Sequence, residues 1–87
     1  MKVRRRPATD VLVRDGETAV LVDGMILRLS ELSSKLYAEC STEKTSAELS
    51  QSLDTAFGAP PDLPLLEATE RVIQELLGHG VLELVED

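Results

Sequence analysis

Apolar and polar residues alternate along three short runs in the first third of the chain, which is the pattern of half-buried β-strands. The three runs comprise residues 9–14, 18–22 and 25–29. Asp15-Gly16 and Asp23-Gly24 lie between successive runs, and Asp-Gly favours a type I′ hairpin turn because both turn positions need a positive φ angle. We therefore predict a three-stranded antiparallel β-meander.

The two turns predict one common strand register. Two-residue loops pair Val11 with Val20, and Val20 with Leu27. Side chains alternate between the faces of a strand, so one face of the meander is wholly apolar and is expected to face the core. That face holds Val11, Val13, Val20, Val22, Met25, Leu27 and Leu29. The opposite face gathers Leu12, Leu21 and Ile26 into an apolar patch, which is either covered by another part of the chain or available to a partner.

The last strand of the meander is expected to leave one backbone edge open. In a two-residue hairpin the residues that flank the turn form a hydrogen-bonded pair, and such pairs alternate along the ladder. Met25, Leu27 and Leu29 therefore bond to the middle strand, whereas Ile26 and Arg28 direct their N–H and C=O groups away from it. An uncovered edge of this kind is a template for an incoming extended peptide.

Apolar residues at helical spacing predict three helices after the meander. Ser30 is expected to cap the first helix, whose apolar stripe ends at Cys40. Thr45 and Glu48 have the spacing of a capping box at the start of the second helix, and Gly58 ends it.

The third helix has the strongest amphipathic pattern in the chain. We expect Asp62 to cap it and Pro64 to lie in its first turn, and residues 78–80 to end it. Its apolar arc comprises Leu65, Leu66, Thr69, Val72, Ile73, Leu76 and Leu77. Residues 81–85 then predict a short C-terminal strand or an extended tail. The predicted fold class is α+β, in the order β-β-β-α-α-α.

The length of 87 residues indicates one small domain, assigned to residues 9–85 between a basic arm (1–8) and an acidic end (86–87). The net charge is −7. The arm holds four of the nine basic residues, so the remainder carries five basic against sixteen acidic groups, a balance of −11. Such a body repels nucleic-acid phosphates, and we expect the arm to be a solvated tail rather than a nucleic-acid or membrane contact.

No motif for catalysis or cofactor binding is present in the sequence. The single cysteine, Cys40, closes an apolar stripe and is expected to be core rather than a nucleophile. The single histidine, His79, lies at a helix end, where histidine compensates the helix dipole. One histidine and one cysteine do not make a closed zinc site. We predict a protein that is not an enzyme and that binds no cofactor or metal. We predict a cytoplasmic location, because a single cysteine suits a reducing compartment, and no membrane-spanning segment.

Three stretches carry a resemblance to a known family. They are L-R-L-S-E-L-S-S-K-L, from the last strand into the first helix, T-S-A-E-L-S-Q-S-L-D in the second helix, and L-L-G-H-G-V-L-E-L at the end of the third. Together with Arg5 to Pro7 and the element order, they resemble the PqqD-like family over residues 6–85. Members are the recognition elements of ribosomal peptide natural-product pathways. Ser30 stands where the family commonly has Asn, and either residue caps a helix.

The resemblance implies a winged-helix-like unit that captures the leader region of a precursor peptide as an extra antiparallel strand beside the third helix. It implies that the peptide is bound by Met25, Ile26, Leu27, Arg28 and Leu29 on the strand, and by Leu65, Thr69, Val72, Ile73 and Leu76 on the helix. Arg28 either pairs with a leader carboxylate or is a solubilising edge charge. The domain would deliver the leader to a separate modifying enzyme, such as a radical SAM enzyme, a leader peptidase or a cyclase.

Two alternative functions stay open. One is a winged-helix DNA-binding regulator. The acidic body disfavours it, and so does the predicted third helix, because Arg71 is the only Lys or Arg in that helix. The other is an assembly subunit whose open strand edge pairs with a second copy. A monomer and an edge-paired dimer are therefore both expected states.

Overall fold

The structure is a computed structural model, which describes residues 1–8 and 10–86. Thr9, the predicted first residue of the meander, and Asp87, in the predicted acidic end, lie outside the described residues. Within them the chain forms six strands and three helices. In chain order these are β1 (Lys2–Arg5), β2 (Asp10–Arg14), β3 (Glu17–Val22), β4 (Met25–Leu29), α1 (Glu31–Glu39), β5 (Lys44–Thr45), α2 (Ser46–Phe57), α3 (Leu65–Gly78) and β6 (Leu82–Leu84). The predicted α+β class is confirmed.

Strands β2, β3 and β4 form the predicted antiparallel meander, with β3 in the middle. Both turns have the positive φ angles that a type I′ turn requires, 53° and 79° at Asp15 and Gly16, and 51° and 78° at Asp23 and Gly24. The observed pairs are those expected from two-residue loops along both hairpins. The predicted register is confirmed.

The predicted core face of the meander is only partly buried. Val20, Val22 and Leu29 are buried and belong to the hydrophobic core, but Val11, Val13 and Met25 are 40%, 65% and 61% exposed. Helix α1 packs against β3 and β4, and Val11 and Val13 of the edge strand β2 border an open space that separates them from the helix. Met25 lies next to the turn of the second hairpin. The expectation that those three side chains lie in the core is wrong for this reason.

The predicted solvated arm is wrong, because part of it is a strand of a second sheet. β1 is the middle strand of this sheet and pairs antiparallel with β5 on one side and β6 on the other. Val3, in its centre, is 0% exposed. Of the two states predicted for residues 81–85, a strand or an extended tail, the structure has the strand, β6, which pairs with the N-terminal strand.

The basic residues of the N-terminal segment bind to the rest of the domain. Arg4 Nε lies 2.9 Å from the Glu83 carboxylate, and an Arg6 Nη atom lies 3.7 Å from that of Asp23. The Arg5 guanidinium lies 4.4 Å above the ring centroid of Tyr37 and donates to the Tyr37 carbonyl at 2.8 Å. These contacts offset much of the positive charge that the sequence concentrates in residues 1–8.

The first two helices begin as predicted and the third does not. The Ser30 hydroxyl accepts from the N–H of Ser33 at 3.1 Å, and Thr45 and Glu48 form the reciprocal bonds of a capping box. Helix α3 begins after Pro64 without a side-chain cap. The expected cap, Asp62, lies two residues before the N-cap position, so its side chain is not at the cap. No helix in the described part of the chain combines the length and the apolar character of a membrane span.

Cys40 is buried in the core at 0% exposure, as the sequence predicted. Burial raises the pKa of its thiol to about 11. Below that pH the sulfur is a neutral thiol, which is a poor nucleophile.

Candidate functional site

A groove of about 470 Å³, here called the β4–α3 groove, separates β4 from the C-terminal half of α3. On the strand side it is lined by Leu27, Arg28 and Leu29. On the helix side it is lined by Val72, Glu75, Leu76 and His79. Both sides therefore combine aliphatic residues with polar or charged ones.

The path of the chain places these two elements side by side. β4 leads away from the turn at Asp23 and into the first helix, whereas α3 comes back toward the same turn. Gly80, just after α3, lies close to Val22 and Asp23. Helix α3 thus runs antiparallel to β4, fixed on the core by the buried residues Ile73 and Leu76.

The outer edge of β4 is open in the described structure. β4 pairs with β3 alone, and in the observed register Ile26 and Arg28 direct their backbone groups away from β3. No other described residue binds those backbone groups. The opposite edge of the sheet differs, because the outward N–H of Val11 donates to the carboxylate of Asp10 at 2.9 Å. Within the described residues, the β4 edge has no such side-chain partner.

The structure brings five of the ten predicted site residues to this groove. They are Leu27, Arg28, Leu29, Val72 and Leu76. Met25 and Ile26 lie at the start of β4, are 61% and 74% exposed, and do not line the groove. Leu65 and Thr69 line a neighbouring pocket instead. Ile73 is 0% exposed, in the core, where it offers no surface to a ligand.

Sequence reasoning missed two polar residues of the groove, Glu75 and His79. They follow Val72 and Leu76 by three residues each, so helical spacing places them on the same margin of α3. The guanidinium of Arg28 already lies 3.0 Å from the Glu17 carboxylate, in an exposed pair of the kind that contributes little stability. Among the charged side chains that line the groove, Glu75 has no ionic partner in the described residues.

A second, apolar pocket of about 330 Å³ adjoins the groove, and we call it the α2–α3 pocket. Leu53 of α2, Leu65 of α3 and Pro60 of the connecting loop line it. Leu32 and Val72 line both the pocket and the β4–α3 groove. The two spaces are therefore neighbours along the helical side of the site.

The outer face of the meander carries the apolar patch that the sequence predicted. Leu12 and Ile26 are 63% and 74% exposed, so the described chain leaves both side chains accessible. In the described residues no three His, Cys, Asp or Glu side chains are grouped as metal ligands.

Comparison of the chain with protein-family models, curated proteins and solved structures found no match. The resemblance to PqqD-like recognition elements therefore stays a prediction from the sequence.

Proposed function

We propose that this domain binds an extended peptide by adding it as a strand to the open edge of β4, without catalysing a reaction. The proposed ligand is the leader region of a ribosomally made precursor peptide, which the domain delivers to a separate modifying enzyme. The observation that supports this most strongly is the open edge beside the β4–α3 groove. In strand addition, backbone hydrogen bonds supply affinity and side-chain pockets supply specificity. The open edge of β4 and the adjoining groove support such binding here.

Side-chain alternation relates the groove to the peptide sequence. Leu27 and Leu29 share the face of β4 that lines the groove. Every second side chain of an added strand would lie on that face and pack against Val72 and Leu76 of α3. The intervening side chains would lie on the outer face of the meander, near Ile26.

The charge distribution supports a peptide ligand over DNA. Exposed positions of α3 hold Glu67, Arg71, Gln74 and Glu75, and Arg71 lies 3.5 Å from Glu67. The arginines of the N-terminal segment are engaged within the domain. A DNA-binding surface needs a cluster of available cations. We further propose a cytoplasmic location, which is supported by the single buried cysteine.

Proline substitutions on the two sheet edges test the proposal. Ile26→Pro removes an outward N–H of β4, whereas Val13→Pro removes the equivalent group on the β2 edge. We expect Ile26→Pro to weaken binding of a fluorescein-labelled leader, encoded beside the gene, by about tenfold or more, since one hydrogen bond is lost and the ring obstructs pairing. Val13→Pro is expected to bind as the wild type does.

Circular dichroism confirms that each variant is folded, and fluorescence anisotropy measures its affinity. Undiminished leader binding by folded Ile26→Pro would contradict the proposal. An edge-paired dimer uses the same edge, so sedimentation is measured as well. A mass that doubles with concentration and does not respond to the leader would support self-pairing instead.

A further inference from the structure

The direction of an added strand decides which end of the peptide approaches the α2–α3 pocket. β4 begins at the turn and ends at the first helix, and α3 runs the opposite way. Both existing pairs in the meander are antiparallel. A peptide that continues this pattern runs antiparallel to β4, and therefore parallel to α3. Its N-terminal end then points to the start of α3, where Leu65 lines the pocket.

We propose that the bound peptide carries a large apolar side chain on the N-terminal side of its added strand, and that this side chain fills the α2–α3 pocket. The inference rests on the proposed function and specifies the ligand class, an apolar anchor followed by an extended segment. The pocket adjoins the groove, with which it shares Leu32 and Val72 as lining residues, and Leu53, Pro60 and Leu65 give it an apolar lining. Its volume of about 330 Å³ lies in the range of small-ligand sites.

The spacing between anchor and strand follows from the helix. The α3 residues that line the pocket are centred about seven positions before those that line the groove, which is roughly 10 Å at the helical rise per residue. An extended peptide covers that distance in about three residues. The anchor is therefore expected about three residues before the centre of the added strand.

A phage-displayed library of random twelve-residue peptides, selected on the intact protein, supplies the probes. Ala68, half-buried on α3, lines the α2–α3 pocket, and Ala68→Phe fills that space. The matched control is Ala47→Phe, at an exposed position of α2 that lines neither space. We expect Ala68→Phe to weaken binding of the selected peptides about tenfold or more, because one apolar side chain of the peptide is no longer buried. Ala47→Phe is expected to leave their affinity unchanged.

A nitroxide on the peptide tests the direction in the wild-type protein, so the inference does not depend on the folding of a variant. A label at the peptide N-terminus is expected to broaden the amide signals of Gly58, Ala59 and Leu65, and a label at the C-terminus those of Met25 and His79. The reverse pattern would overturn the inference.

The two proposals fail in distinguishable ways. Peptides that lose affinity in Ile26→Pro but not in Ala68→Phe would support strand addition and overturn the anchor. Peptides that bind Ile26→Pro without loss would contradict the proposed function, and with it this inference.

Discussion

Truncating Val3 to alanine tests whether the N-terminal segment is part of the folded domain. Val3 is 0% exposed in the central strand of the second sheet, between β5 and β6. The substitution removes two buried methyl groups, each worth about 0.8 kcal/mol of transfer free energy, and leaves a cavity that adds to the loss. We expect the free energy of unfolding to fall by about 2–3 kcal/mol, a large share of the roughly 5–15 kcal/mol typical of a domain.

Urea denaturation followed by the helical circular dichroism signal measures this change. Arg4→Ala in the same strand is the control, because Arg4 is exposed and its ion pair with Glu83 contributes about 1 kcal/mol at most. A shift of the urea midpoint for Val3→Ala well beyond that for Arg4→Ala is the expected result. Equal, small shifts for both variants would refute the reasoning and favour a solvated tail.

Two further substitutions test local features of the core. Gly80 has a φ angle of 75°, and a Cβ atom there would lie 2.8 Å from an Arg6 Nη atom. Gly80→Ala should therefore lower the free energy of unfolding by about 1–2 kcal/mol, measured by thermal melts. An unchanged melting temperature would contradict this expectation. Burial raises the pKa of Cys40 to about 11, so iodoacetamide should label the native protein at pH 8 far more slowly than the urea-unfolded one. The unfolded thiol ionises near its ordinary pKa of 9.0, so the wild type should lose stability between pH 9 and 11 relative to Cys40→Ala. Curves of unfolding free energy against pH that run parallel for the two proteins would contradict the burial of the thiol.

The meander and the first helix caps could be predicted because their signals are local. Each Asp-Gly turn fixes the pairing of the residues beside it, so the register follows from a few consecutive positions. The capping box of Thr45 and Glu48 is likewise contained in one helical turn. Whether Val11 and Val13 are buried or exposed could not be predicted in this way, because it depends on where α1 packs across the sheet.

The N-terminal strand could not be predicted because its partner strands lie far away in the sequence. β1 pairs with residues near positions 44 and 84, and only the single apolar residue Val3 separates its basic residues. A run of basic residues at a chain end is ordinarily a solvated tail. The structure instead engages that charge in ion pairs with Glu83 and Asp23.

Several aliphatic residues of the candidate site and Arg28 were predicted, whereas Glu75 and His79 were not. The resemblance to the PqqD-like family implied a site that includes Leu27, Val72 and Leu76, which the structure brings to one groove. Glu75 lies outside the predicted apolar arc of α3, although it lines the groove. The α2–α3 pocket depends on the path of residues 58–61 between two helices, and short-range sequence patterns do not determine that path.

Amide hydrogen exchange at the β4 edge tests the central claim most directly. In the free protein, the account predicts protected amides at Leu27 and Leu29, which bond to β3, and rapidly exchanging amides at Ile26 and Arg28. Saturating leader peptide should slow exchange at Ile26 and Arg28 by about tenfold or more as they enter a ladder. Unchanged exchange at both amides with the leader bound, or protection in the free protein that grows with its concentration, would contradict peptide capture at this edge.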